Sequence, residues 1–465
     1  MIHRRIRALL VACTLAVVMI TLLVSCATED ERNLVNQESN EPHIDGENRN
    51  VGDALDPANS TDTPGSTEPT DPTGKDGGSP SSDADQQEPP TSIGSPADEQ
   101  AQEIEAMIER MTLPQKLGQL VMIGVAGEEL DDTIQSYIEE RYIGGVILYR
   151  RNLSSAVQAV RLVNDLKSVN REVNDIPLFF GVDEEGGRVT RLPEVRSTPS
   201  SRKLGEADAV DWTYRVGEVI GEKVAAFGLN VNFAPVIDVD SNPANPVIGD
   251  RAFGSEANVV SEQGIALMDG MAKQHVLPVV KHFPGHGDTD VDSHLQLPIV
   301  HHDAERLHSL ELQPFIQAID AGADAVMVAH LLIPAYDEQY PASMSHAVIT
   351  KLLREELGYG GLVITDDMTM GAIAEHGDLG AAVVRAVLAG SDQILVGHGY
   401  DQAELTIQAL EDAVDAGDLT EERIDESLRR ILTVKRKYEM SDDVVPPVDV
   451  DALNERIEAT LSTMP

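Results

Sequence analysis

Cysteine is nearly missing from this chain. Cys13 and Cys26 are the only two, both close to the start, so the body can carry neither a disulfide framework nor a cysteine-based metal site. Basic residues are scarce as well: 35 Lys and Arg stand against 79 Asp and Glu, a formal net charge of −44. Phosphate backbones are bound by basic patches, so a nucleic-acid partner is not expected. No GxGxxG opens the first strand-to-helix turn, which argues against dinucleotide binding. From Ala27 to about Gln100 no aromatic residue occurs, and Ser, Thr, Pro, Gly, Asp, Glu and Asn dominate. Such a stretch cannot bury enough apolar surface to offset its chain entropy, so residues 27–100 read as a disordered, extended tether.

The start of the chain reads as a targeting segment. His3, Arg4, Arg5 and Arg7 precede an apolar run from Ala8 to Val24, which ends in Leu23-Val24-Ser25-Cys26. That tetrapeptide resembles the bacterial lipobox. Residues 1–26 are therefore expected to be a lipoprotein signal segment with Cys26 as the lipidation site, and the protein to be held at the outer face of the cytoplasmic membrane. An uncleaved transmembrane anchor is the alternative.

The folded body is expected to begin near Ala101. Eight apolar runs alternate with stretches of helical spacing: LVMIGV, GGVILYR, PLFFGVD, VNFAPVIDV, PVVKHF, AVMVAH, GLVITDD and QILVG. Continuous apolarity is the mark of parallel strands buried on both faces. Strand–helix alternation of this kind predicts an α/β fold, a (β/α)8 TIM-type barrel over residues 101–440. A doubly wound open sheet is the alternative, and residues 441–465 read as a C-terminal extension.

In a barrel, chemistry gathers where the strands end. Polar residues end most of these runs: Asp183 after the third, Asp238 after the fourth, Lys281 and His282 after the fifth, His330 after the sixth, Asp366 and Asp367 after the seventh and His398 after the eighth. The densest stretch is KHFPGHGDTDVDSH, Lys281 to His294, where glycines and proline break any regular pattern and leave a loop rich in ionisable groups. Zinc is not expected there, because His282, His286 and His294 lack the i, i+4 spacing of a helical ligand pair and no cysteine lies near.

Three motifs carry a family resemblance. LLREELGYGGLVITDDMT (Leu352 to Thr369), KHFPGHGDTDVDSH and VDEEGGRVTRL (Val182 to Leu192) resemble glycoside hydrolase family 3, in its single-domain β-N-acetylglucosaminidase (β-N-acetylhexosaminidase) branch. The resemblance spans about Ala101 to Tyr438. It implies an exo-acting, retaining enzyme that removes terminal N-acetylglucosamine from peptidoglycan-derived glycans and uses no cofactor and no metal. It assigns Asp366 as nucleophile, His294 as general acid/base and Asp292 as its partner. It assigns Asp183, Arg191, Arg251, Lys281 and His282 to the terminal sugar. It gives no role to Asp367, His286, His330 or His398, and says nothing of oligomeric state.

The residues themselves are compatible with those roles. A retaining glycosidase needs a carboxylate to attack and a group to protonate the leaving oxygen. Two-domain members of the family are thought to bring that acid from a further domain. Few residues follow Tyr438 here, so the acid is expected from the barrel. Histidine titrates near neutrality and can act as acid and then base, with an aspartate two residues away orienting its ring. Another β-glycosidase specificity, a β-glycoside phosphorylase and a non-catalytic sugar-binding lipoprotein are the competing readings.

Overall fold

The computed structural model describes residues 96–374 and 377–465. The signal segment, Cys26 and nearly all of the tether lie outside the described residues. Among those described, no helix is long and apolar enough to cross a membrane.

Eight parallel strands form the core: β1 (Val121–Gly124), β2 (Gly145–Ile147), β3 (Phe179–Val182), β4 (Val231–Asn232), β5 (Leu277–Phe283), β6 (Ala325–Val328), β7 (Leu362–Thr365) and β8 (Ile394–Val396). Each pairs with its sequence neighbours, and β1 also pairs with β8. A parallel bridge between Ile364 and Gln393 joins β7 to β8 and closes the ring. This is the (β/α)8 barrel that the apolar runs predict. Every strand residue is buried, and each fully buried Val, Ile or Leu contributes about 1.5–3 kcal/mol. The core therefore outweighs any single polar contact described below.

The fourth run is less regular than its sequence suggests. Regular pairing stops at Asn232, because Pro235 has no N–H to give the ladder. The chain still follows β5: Val279 N–H donates to the Ala234 carbonyl at 3.0 Å, and Ile237 N–H to the Lys281 carbonyl at 2.8 Å. Asp238 is thereby carried to the rim beside His282. Between β5 and β6 the chain forms two helices, Ala304–Ser309 and Gln313–Asp320, with Pro314 in the first turn of the second.

Three outer helices are not anticipated by the sequence reading. Asp132–Arg141 is capped by Asp131, whose carboxylate accepts from the Thr133 and Ile134 amides. Ser201–Ala207 follows the loop that carries the VDEEGGRVTRL motif. Val450–Leu461 lies in the C-terminal stretch and packs Leu453 and Ile457 against Val219 on the helix Val210–Ala226. Before that helix, Val445 and Asn164 exchange two hydrogen bonds of 2.9 Å, and Asp442 accepts from Asn170 and from the Leu178 amide. Residues 441–461 are thus bound along the outside of the barrel.

At the end opposite the strand carboxyl termini, buried Asp392 accepts from Arg354 (2.6 Å), Arg430 (2.9 Å), Ser427 (2.9 Å) and the Val363 amide (2.9 Å). Arg354 and Asp366 belong to the same motif, Leu352 to Thr369. One motif therefore ties down one end of β7 and delivers carboxylates at the other.

Candidate active site

The strand carboxyl ends surround a cavity of about 930 Å³. Seven of the eight site residues expected from the sequence line it: Asp183, Arg191, Arg251, Lys281, His282, His294 and Asp366. The eighth, Asp292, stands behind His294.

On one wall lies a closed ionic network. Lys281 Nζ reaches Asp183 Oδ1 and Glu185 Oε1, each at 2.8 Å. Arg251 grips Glu185 with two parallel bonds of 2.8 Å, the strong bidentate geometry of a guanidinium–carboxylate pair. Burial pushes the Glu185 carboxyl up, but Arg251 and Lys281 outweigh it and hold the group well below the usual carboxylate range. Burial pulls Lys281 down, and Asp183 with Glu185 more than restores it. Glu185 is not among the site residues expected from the sequence. Its alternation with Asp183 across one intervening residue is the signal that was available.

His282 is fixed from below. Its Nδ1 lies 2.7 Å from Asp238 Oδ2, and its backbone N–H donates to Asp238 Oδ1 at 3.1 Å. A carboxylate only accepts, so Nδ1 carries the proton and Nε2 faces the cavity side, 3.4 Å from Arg251. Arg191 is half-buried at the rim. Its guanidinium has no protein partner among the described residues, so its donors are available to a ligand.

Asp366 leaves the end of β7. Its Oδ1 accepts the Asp367 amide at 2.8 Å. Burial pushes this carboxyl up. The His330 and His282 rings and that amide outweigh burial and keep it below its ordinary value, hence ionised at neutral pH. His294 comes from the loop after β5. Its Nδ1 lies 2.7 Å from Asp292 Oδ1, and its own N–H donates to the same oxygen at 2.9 Å. The His294 side chain is 64% exposed, so Nε2 is open to solvent and to the cavity. The loop rests on the segment after β7: Gly371 N–H donates to the His294 carbonyl and Ala372 N–H to that of Ser293, both at 3.3 Å. A Cβ on Gly371 would come within 2.8 Å of the His294 and Leu295 carbonyl oxygens, so only glycine admits this approach.

Residues 112–434 match the model of the glycosyl hydrolase family 3 N-terminal domain. The chain belongs to glycosyl hydrolase family 3. It is 35% identical over 341 residues to beta-hexosaminidase A of Pseudoalteromonas piscicida, a match covering 67% of this chain and 56% of that protein. It is 34% identical to the beta-hexosaminidase of Methylobacillus flagellatus, covering 61% of this chain and 82% of the relative. Among solved structures it resembles a glycoside hydrolase family 3 beta-N-acetylglucosaminidase from a Paenibacillus species, with a TM-score of 0.73, 42% identity, and coverage of 76% of this chain and 69% of that one. The family, and the side of it on which these relatives fall, agree with the three sequence motifs.

Four polar residues of this family 3 chain that the motifs left without a role have structural partners. Asp367 accepts from Thr369 N–H (3.0 Å), Thr369 Oγ1 (2.8 Å) and Gly397 N–H (2.8 Å), and pairs with His398 Nδ1 (2.8 Å). It links the end of β7 to the end of β8. His398 also stacks on Tyr149, with ring centroids 4.9 Å apart. Buried His330 lies between Ser343 Oγ (2.7 Å) and the Asp367 carbonyl (3.0 Å). The carbonyl only accepts, so Nε2 carries a proton, and burial pulls the ring below its ordinary value. Buried His286 bridges Ser293 Oγ (3.1 Å) and Thr289 Oγ1 (3.0 Å) within the His294 loop. Burial, with the neighbouring His282, pulls His286 down to about 4.

Proposed function

We propose that this protein is an exo-acting, retaining β-N-acetylglucosaminidase that acts on peptidoglycan-derived glycans and is tethered to the membrane through Cys26. One observation carries the reading. His294, held by Asp292, and the ionised Asp366 line the same cavity, whose other wall presents charged groups suited to sugar hydroxyls.

Asp366 attacks the anomeric carbon and forms a glycosyl ester. Its carboxyl is held below its ordinary value, which keeps the attacking oxygen unprotonated at neutral pH. Nδ1–H of His294 is committed to Asp292, so in the imidazolium form Nε2 holds the transferable proton. That proton passes to the departing oxygen. The neutral ring then takes a proton from the water that opens the ester. Burial pushes the Asp292 carboxyl up, but the His294 amide and ring outweigh it. Asp292 therefore stays charged and stabilises the imidazolium, as the aspartate of a catalytic triad does. Asp183, Lys281, Arg251, His282 and Arg191 hold the terminal sugar, whose hydroxyls enter an already paired network. Donors that need no reorganisation on binding favour turnover.

The test is hydrolysis of chromogenic β-glycosides. The N-acetylglucosaminide should exceed the glucoside in kcat/KM, and added phosphate should not raise the rate. A preference for the glucoside would reject the substrate assignment. Rate enhancement by phosphate with release of a sugar phosphate would replace hydrolase with phosphorylase.

A further inference from the structure

Asp183, Glu184 and Glu185 are consecutive, yet only the outer two face the cavity. Glu184 points the other way and is fully buried. Its carboxylate meets Lys223 Nζ at 2.5 Å, and that lysine, on the helix Val210–Ala226, is also fully buried. The same Oε1 accepts from Thr190 Oγ1 at 2.6 Å. Oε2 accepts from the backbone N–H of Arg191 at 2.7 Å and of Leu192 at 3.2 Å. The loop between is drawn shut by Gly186 and Gly187, both at positive φ, and by a bridge from Gly186 to Val189. Arg191 is the one cation of the proposed sugar site whose side chain has no protein partner among the described residues. Its placement therefore comes from its backbone, and its backbone is held by Glu184.

We infer that Glu184 is a positioning residue: with Lys223 beneath it, it sets the height and direction of Arg191 at the cavity rim. A fully buried ion pair costs desolvation that an apolar pair of the same size would avoid. What the carboxylate supplies is acceptors on both sides, two for the loop amides and two for Lys223 and Thr190. A glutamine at this place has one acceptor. If its oxygen serves the amides, its NH2 faces the lysine ammonium, donor against donor.

This inference rests on Arg191 binding the sugar, and a double-mutant cycle tests it. In Glu184→Ala/Lys223→Met the buried lysine is not left unpaired, but the loop amides lose their acceptor. The expected result is a rise in KM on the order of 10- to 100-fold, with a smaller change in kcat. In Glu184→Gln/Lys223→Met the glutamine oxygen is free to serve the amides, and KM should return to near the wild-type value. In an Arg191→Ala background the Glu184→Ala/Lys223→Met change should raise KM by about twofold at most. Equal losses with and without Arg191, or a wild-type KM in the folded alanine variant, would overturn the proposal, and melting temperatures identify which variants are folded. The cycle is read on whichever aryl glycoside the wild type cleaves fastest. Failure of the N-acetylglucosaminide assignment is thus seen in the wild type alone, and failure of the positioning role in the cycle.

Discussion

The Asp367 amide donates to Asp366 Oδ1 at 2.8 Å, while the Asp367 carboxylate is turned toward β8 and held by Thr369, Gly397 and His398. Two adjacent aspartates therefore differ in kind. One is saturated by the protein, and the other keeps lone pairs for the cavity.

Asp366→Ala should lower kcat on the order of 10⁴-fold or more with little change in melting temperature. A slow fluorinated substrate should label Asp366 in the wild type, and peptide mapping locates the adduct. Label on Asp367, or no label together with strong inhibition by a thiazoline mimic, would exchange the double-displacement route for attack by the substrate's own acetamido oxygen. Asp367→Ala should instead destabilise the fold, since it strands buried donors at about 1–3 kcal/mol each.

His294→Ala should slow substrates with poor leaving groups by about 10²–10⁴-fold and activated aryl glycosides far less, because an activated phenolate departs without a proton. Asp292→Ala should show the same pattern, more weakly. Equal losses on both substrate classes would remove His294 from the acid role.

The buried His286 gives a stability prediction. Its folded value, about 4, lies below the ordinary value of about 6.5, so between these the unfolded chain binds the extra proton. Its contribution is therefore complete above pH 6.5 and is lost as pH falls toward 4, by roughly 3 kcal/mol in all. Glu185 acts in the same direction at lower pH. Its carboxyl is depressed on folding by Arg251 and Lys281, so its contribution declines once pH drops below the ordinary glutamate range. Melting temperatures from pH 7 to 4 should fall, and His286→Gln should flatten the slope between 6.5 and 4. An unchanged slope in the variant would place the pH sensitivity elsewhere.

Cys26→Ser should release the protein from membranes or leave it unprocessed, as fractionation with an antibody would record. Unchanged retention and processing would favour the transmembrane anchor. Removal of residues 1–95 should leave an active domain. Removal through Arg110 should not be tolerated as well, because Ile104 and Ile108 on the first described helix are buried. Losing such a side chain costs about 2–5 kcal/mol.

Chain truncation at the other end should also destabilise. Leu453 and Ile457 cover Val219, and Trp212 Nε1 donates to the Thr460 carbonyl at 3.1 Å. Ile457→Ala should cost about 2–5 kcal/mol in chemical denaturation and leave KM near the wild-type value.

The barrel was legible in the sequence because parallel strands buried on both faces must be continuously apolar, and eight such runs stand in Val121 to Val396. The rim residues were legible for a related reason: a polar group directly after such a run can only lie at the strand end. What failed to register was whatever depended on a partner distant in the chain. The extension after Tyr438 looks like a tail until Asp442 meets Asn170 and Ile457 meets Val219. The expected fourth strand looks intact until Pro235 withholds its N–H from the ladder.

The sequence by itself determined the repeating architecture and the residue types at each strand end, since both follow from local periodicity and from which side chains water will accept. Only the tertiary structure decided which of those ionisable groups remain available. Glu184 is consumed by Lys223, Glu185 by Arg251 and Lys281, Asp238 by His282, and Asp367 by Gly397 and His398 at the end of β8. These pairings join residues tens of positions apart. A carboxylate's free lone pairs are set by its neighbours in space, and chain order does not encode those neighbours one residue at a time.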